Sequence, residues 1–208
     1  MTKIDNAFVT RIYRSSLRGR GTRTLNEDLR QAIEIVAEED LAGQRWCEEK
    51  GYKGYTSYAS LADLPWRMPE FTALTGHLDE HVAAFAADLE FDLSSSELAL
   101  DSIWINVLAP GGVHGAHIHP HSVISGTYYV DVPEGASAIR FEDPRLAMMM
   151  AAPPRLEKAR YENKSFLSIR PKPGTVLLWE SWLRHDVPMN LSERNRVSIS
   201  FNYGTQDP

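Results

Sequence analysis

From Ser94 onward the apolar residues recur at every second position, and this period limits the fold more than any other feature of the chain. "ELALDSIWINVLAP", "SVISGTYYVDVP", "ASAIRFED", "FLSIRP", "GTVLLWESW" and "RVSISFNYG" each read as a strand, because successive side chains of an extended segment point to opposite faces. No helical stretch separates most of them, so the sheet is expected to be antiparallel. Short strands with turn signals between them predict a sandwich or jelly roll.

N-terminal to Ser94 the pattern is mostly helical. "FVTRIYRSSL", Phe8 to Leu17, reads as a first strand. A helix follows with apolar positions Leu25, Leu29, Ala32, Ile33, Val36 and Ala37, with Thr24 and Glu27 as a capping box and Gly43 as its stop. A loop rich in Gly and Tyr, "KGYKGYTSYASL", leads to a second helix beginning near Pro69, with the stripe Phe71, Leu74, Leu78, Val82, Phe85 and Leu89. The expected architecture is mainly β with α. Residues 1–93 form a helical part packed on the outer face of a double-stranded β-helix (a cupin-like jelly roll) built from residues 94–208, all in one domain of 208 residues.

Composition removes several functions. A net charge of −6 gives no basic grip for nucleic acid. The one basic run, Arg18 to Arg23, reads as a solvated loop. Cys47 is the lone cysteine, which excludes an internal disulfide and a cysteine-rich zinc knuckle. No apolar leader or bilayer-length run is visible, so the chain is expected to be cytoplasmic, without a membrane partner. The sequons at Asn163 and Asn190 then read as chance matches.

Of 7 histidines, four fall in "HGAHIHPHSVISG": His114, His117, His119 and His121. Imidazole is the commonest metal ligand at neutral pH. His117 and His119 lie two apart, so in an extended segment both leave the same face. His185, the only histidine C-terminal to the cluster, follows a strand and can supply a third ligand, completing a facial triad with open positions. The pair His119 and His121 is the alternative. His114 and His121 otherwise read as loop polarity or as support behind a ligand. His77 and His81, four apart on the second helix, read as a solvated flank.

The last strand turns a metal into a reaction class. Arg196, Ser198, Ser200 and Asn202 alternate with Val197, Ile199, Phe201 and Tyr203. A polar row opposite an apolar row makes sense if the polar face lines a site. Its first member, Arg196, is suited to bidentate capture of a carboxylate. Trp104 and Asn106 share one face of their strand, and Tyr128 and Ser122 share another if that strand carries no bulge. These four, with His121 and Asn202, are candidate pocket residues.

An HxH pair, a distant His and "RVS" about ten residues later resemble the iron(II)/2-oxoglutarate-dependent oxygenase superfamily. More narrowly, "HIHPHSVISGTYYVDVP", "IRFEDPR", "PKPGTVLLWESWLRHDVPMN" and "RVSISFNY" resemble a bacterial and phage branch of unassigned substrate. The resemblance implies His117, His119 and His185 as iron ligands, and Arg196 with Ser198 at the distal carboxylate of 2-oxoglutarate. Asn106 and Tyr128 are expected beside that co-substrate, and Trp104, Ser122, His121 and Asn202 beside the substrate. The sequence departs from the superfamily at His119, where a carboxylate is usual. Three imidazoles leave the ferrous site at +2 before co-substrate binds. The implied activity is oxidative decarboxylation of 2-oxoglutarate coupled to oxidation of a small-molecule or peptide substrate by dioxygen; a homodimer is allowed for. Two rival readings stand: a cupin-like three-histidine dioxygenase or isomerase that does not use 2-oxoglutarate, and a non-catalytic small-molecule sensor. The segment Asp143 to Ser165, with Met148 to Met150, is either a lid or a fixed loop whose methionines fill the core.

Overall fold

The computed structural model describes residues 1–17 and 21–206, so the basic run Arg18 to Arg23 lies partly outside the described residues. The chain order is β1 (Ile12–Ser16), α1 (Thr22–Glu39), α2 (Leu41–Lys50), β2 (Gly54–Thr56), α3 (Leu64–Arg67), α4 (Pro69–Asp88), β3 (Glu97–Leu108), β4 (His114–His117), β5 (Ile124–Asp131), β6 (Ile139–Glu142), β7 (Phe166–Ile169), β8 (Thr175–Glu180), β9 (His185–Val187) and β10 (Arg196–Gln206). The strands form a major sheet, β1-β8-β5-β10-β3-β2, and a minor sheet, β4-β9-β6-β7. Every pairing is antiparallel. This is the jelly-roll arrangement that the period of two predicts.

Two apolar clusters hold the layers. One lies between the helices and the major sheet, where Phe71, Leu74, Leu78 and Phe85 of α4 meet Ile103, Ile105, Ile199 and Phe201. Each such buried Leu or Phe contributes about 1.5–3 kcal/mol relative to exposure. The second lies between the sheets and is built from Leu108, Tyr129, Phe141, Leu177 and Trp179. Gly126 of β5 faces the first cluster. A Cβ there would collide with the Phe201 ring and the Leu178 side chain, so the close approach requires glycine.

The N-terminal part departs from the expected pattern in four places. β1 is the expected first strand and joins the major sheet at β8, but the loop rich in Gly and Tyr also contributes a strand, β2, which extends the sheet at β3. The first helix does not stop at Gly43. It ends at Glu39, where Asp40 leaves helical geometry (φ −79°, ψ 77°). The Asp40 carboxylate then accepts the Gly43 N–H at 2.9 Å and caps α2. The capping box is not formed, because α1 starts at Thr22 behind Gly21 and Thr24 lies inside its first turn. His81 is not merely solvated; it shares a 2.9 Å hydrogen bond with the Tyr13 hydroxyl of β1.

Segment 143–165 contains two short 3-10 turns, Leu146–Met148 and Tyr161–Asn163, and is otherwise irregular. Met148 is 73% exposed and Met150 is 92% exposed, so these methionines do not fill the core. The segment instead borders a cavity of about 370 Å³ shared with residues 5–10 and Ile12, away from the histidines. Among the described residues, no helix is long and apolar enough to cross a membrane.

Candidate metal centre and co-substrate chamber

Strand register brings the first two histidines together. His117 on β4 pairs directly with His185 on β9. Their ring centroids are 4.4 Å apart. His119 follows β4 and is anchored by its N–H to the Ser181 carbonyl at 3.0 Å. One ring nitrogen from each of His117, His119 and His185 lies within 4.8 Å of the others. His121 is exposed, adopts φ 72°, and does not join the group. The geometry therefore gathers the pair His117 and His119 rather than His119 and His121.

The hydrogen bonds of the other nitrogens fix the tautomers. Nδ1 of His117 faces the Gly115 carbonyl at 2.7 Å, Nδ1 of His185 faces the Leu183 carbonyl at 2.9 Å, and Nδ1 of His119 faces Asn202 Oδ1 at 2.6 Å. Carbonyl oxygens only accept, so each Nδ1 carries the proton and each Nε2 offers a lone pair. Burial holds the His119 imidazole below its ordinary pKa and, with His117 nearby, pushes His185 down to about 3. Both rings are thus neutral at physiological pH, as metal ligation requires. Nε2 of His119 is buried and has no hydrogen-bond partner. Three convergent imidazole donors with an orphaned lone pair fit a divalent first-row ion such as iron(II).

Asn202 therefore acts behind a ligand as well as at the wall of an outer cavity. Its Oδ1 accepts from His119 and, at 2.8 Å, from Ser125, while its amide donates to Ser102 at 3.0 Å. Such outer partners orient the ligand and set its basicity.

A small chamber of about 60 Å³ adjoins the three histidines, with Thr127, Tyr129, Trp179, Arg196 and Ser198 among its walls. Arg196 is only 2% exposed and makes no ion pair among the described residues. Its guanidinium carbon lies 4.9 Å from the Tyr129 ring centroid, and it donates to Ser198 Oγ at 3.4 Å. Among the described residues, six buried side-chain polar atoms lack a hydrogen-bond partner; four of them, His119 Nε2, Tyr129 Oη, Trp179 Nε1 and Arg196 Nε, belong to residues lining this chamber. Buried donors cost several kcal/mol when unpaired, and a buried unpaired charge costs more. Their concentration marks a polar, anionic ligand site.

A wider cavity of about 400 Å³ opens beside it, sharing Trp104, His114, His117 and His119 with the inner chamber. Asn106 lines this outer cavity and is absent from the inner lining. His114 is no mere loop polarity: its Nε2 meets the Tyr52 hydroxyl at 2.7 Å, and burial next to Arg196 pushes it down to about 4.

Tyr128 and Ser122 are not placed in either cavity. The Tyr128 hydroxyl donates to Asn26 at 2.8 Å, within the cluster under the helices. The reason is register. β5 pairs Ser125, Thr127 and Tyr129 with Asn202, Ser200 and Ser198 of β10, and a bulge follows at Val130. Odd positions face inward, so Tyr129 takes the place expected of Tyr128. The alternation Ser125, Thr127, Tyr129, which matches the polar row of β10, is the signal that could have identified it. Ser122 lies ahead of β5 and outside the ladder.

Residues 102–202 match the family described as "Putative 2OG-Fe(II) oxygenase". No protein of curated function matches the chain in sequence. Solved structures share the fold. The non-heme alpha ketoglutarate dependent epimerase SnoN from nogalamycin biosynthesis superposes with a TM-score of 0.62 at 12% identity, covering 94% of this chain and 76% of that one. HygX from Streptomyces hygroscopicus, with nickel, 2-oxoglutarate and hygromycin B bound, gives 0.60 at 18% identity, covering 94% and 83%. A Pseudomonas putida prolyl-4-hydroxylase gives 0.57 at 12% identity, covering 94% and 92%. The matched segment runs from β3 to β10 and carries His117, His119, His185 and Arg196, and over it the chain is similar to the 2OG-Fe(II) oxygenases.

Proposed function

We propose that this chain is an iron(II)- and 2-oxoglutarate-dependent dioxygenase, with His117, His119 and His185 holding the metal and Arg196 holding the distal carboxylate of 2-oxoglutarate. One observation carries the assignment. A fully buried arginine without a counter-ion faces the same small chamber as three convergent imidazoles. A dicarboxylate satisfies both ends at once. His117, His119 and His185 would hold the metal that its keto-acid end binds, and Arg196 would pair with its far carboxylate.

The other residues follow from their positions. The Tyr129 and Ser198 hydroxyls can donate to the carboxylate that Arg196 binds. Trp179, Ile139 and Val187 close the chamber with apolar surface and exclude water, which strengthens the ion pair. Asn202 keeps the His119 ring turned so that Nε2 faces the metal. Iron with 2-oxoglutarate supplies dioxygen activation and the oxidative decarboxylation to succinate and carbon dioxide that drives oxidation of a substrate C–H bond. The substrate is taken to enter through the outer cavity, past Trp104. We treat residues 1–208 as one domain that works as a unit, and we place it in the cytoplasm.

Anaerobic addition of iron(II) and then 2-oxoglutarate tests the assignment. A weak visible charge-transfer band is expected with both present and with neither alone. Full iron occupancy with no band and no 2-oxoglutarate binding by calorimetry would return the chain to the cupin-like reading.

A further inference from the structure

The outer cavity has a chemical character that selects its occupant, granted the reading of the inner chamber as the co-substrate site. Among the described residues, its lining contains no Asp, Glu, Lys or Arg. The whole chain carries 22 basic and 28 acidic residues, so a cavity of about 400 Å³ without one of them at its wall is a selective feature. A charged substrate entering it would lose hydration with no opposite charge to replace it.

One wall is aromatic. Trp46 and Tyr58 lie 6.5 Å apart between centroids, Tyr58 and Trp104 lie 5.3 Å apart at 72°, and Trp104 and His119 lie 5.8 Å apart at 32°. The rings form a continuous band leading to the metal ligand. Tyr58 and Trp104 meet edge to face, so no space remains between them for an ammonium group. This is a surface for stacking rather than a cage for a cation. Charge also opposes a cation: iron(II) on three neutral imidazoles, a 2-oxoglutarate dianion and Arg196 sum to +1, where a carboxylate in place of His119 would give zero.

The polar wall offers donors in excess. Asn106 spends one amide hydrogen on Ser200 at 3.1 Å, and its Oδ1 accepts from Thr56 at 3.1 Å. Asn202 spends one on Ser102, and its Oδ1 is doubly occupied. Each therefore keeps a second amide hydrogen for a ligand. The single proton of the Thr56 hydroxyl is shared between the Ile105 carbonyl and Asn106 Oδ1 and is not left for a ligand. The cavity thus asks for acceptor oxygens beside a flat apolar face.

We infer that the substrate is an uncharged ring compound bearing carbonyl, amide or ether oxygens, stacked along Trp46, Tyr58 and Trp104 and hydrogen-bonded by Asn106 and Asn202. The ring excludes cationic and anionic analogues of the same shape.

Three probes with one ring separate the cases: indole-3-acetamide, tryptamine and indole-3-acetate, titrated by calorimetry into protein loaded with nickel(II) in place of iron. 2-Oxoglutarate is titrated first in the same sample. The amide is expected to bind at least about tenfold more tightly than either charged analogue. Tyr58→Ala, at an exposed position that carries little of the core, should weaken the amide about tenfold. Asn106→Asp should reverse the order so that tryptamine binds best. Equal or tighter binding of tryptamine or indole-3-acetate to the unmodified protein, no binding of the amide, or an unchanged order in Asn106→Asp would each overturn the inference. Failure of 2-oxoglutarate to bind would instead remove the functional reading. The two failures are seen in separate titrations.

Discussion

β10 and the 143–165 connection are two segments of one chain that present side chains in opposite ways. On β10, Arg196, Ser198 and Asn202 are buried on the inner face while Ile199, Phe201 and Tyr203 are buried under the helices. Both faces are committed, and neighbours β3 and β5 fix the strand from each side. In the connection, Met148, Met150 and Leu156 stand largely exposed, and the local hydrogen bonds are turns within the segment itself. A polar residue on β10 is held where it is by a ladder, so its chemistry is specified. A residue in the connection is held by little. The difference predicts that substitutions on the strand frame should cost function heavily, whereas those in the connection should cost almost nothing.

The largest effect belongs to the metal ligands. His185→Ala or His117→Ala should abolish iron binding, because two imidazoles make a poor facial site. His121→Ala should leave iron occupancy intact, since that ring points to solvent. Elemental analysis of the three purified variants decides the matter. Full occupancy in His185→Ala would break the comparison at its strongest point, because β9 would then contribute no ligand.

Next comes Arg196→Ala. Loss of a buried charge-assisted pair should weaken 2-oxoglutarate by about 2–4 kcal/mol, with iron affinity nearly unchanged. Tyr129→Phe should cost about 1 kcal/mol, the usual net worth of one hydrogen bond. Tyr128→Phe should leave 2-oxoglutarate affinity untouched, because that hydroxyl bonds Asn26 across the apolar cluster. Calorimetry on these three variants separates the two adjacent tyrosines.

The same contrast explains how much was legible in the sequence. The period of two, the HxH spacing and the polar row of β10 are local patterns, and backbone geometry converts each directly into a face. They were sufficient for the jelly roll, for the grouping of His117, His119 and His185, and for the inward aim of Arg196. Parity was the weak point. Choosing Tyr128 over Tyr129 required knowing which face of β5 met β10, and that is set by pairing between residues some seventy apart in sequence, with a bulge at Val130. The role of Asn202 was hidden for a similar reason, since its partner His119 is distant in sequence. The helix break at Asp40 was missed because one carboxylate capping Gly43 outweighs a continuous apolar pattern. Nothing periodic marks 143–165, so its methionines could be read two ways.

A smaller effect is expected at Asn202. Asn202→Ala removes the acceptor that orients the His119 ring but leaves all three ligands in place. Outer partners of this kind typically change metal affinity by 10–100-fold. Competition against a chromogenic chelator should show a loss within roughly that range, while 2-oxoglutarate affinity measured at saturating metal stays within about twofold, because Asn202 is absent from the inner chamber. Asn202→Asp, which keeps an oxygen at the same place, should restore most of the metal affinity. A variant indistinguishable from the parent in both measurements would mean that the β10 frame tolerates change at its inner face as the connection does.

The smallest effect is expected in the connection. Met148→Ala with Met150→Ala removes two long apolar side chains that are 73% and 92% exposed. There is little burial to lose, so stability should change by less than about 0.5 kcal/mol, as for ordinary surface substitutions. Neither residue lines the inner chamber or the outer cavity, so iron and 2-oxoglutarate affinities should be unchanged. Urea denaturation and the titrations above give both numbers. A destabilisation of several kcal/mol would mean that these methionines are buried in solution. A selective loss of 2-oxoglutarate affinity would mean that the connection reaches the chamber and closes over it. With neither, the contrast stands as a physical one: the strand holds its polar row between two layers, and the connection leaves Met148, Met150 and Leu156 largely in solvent.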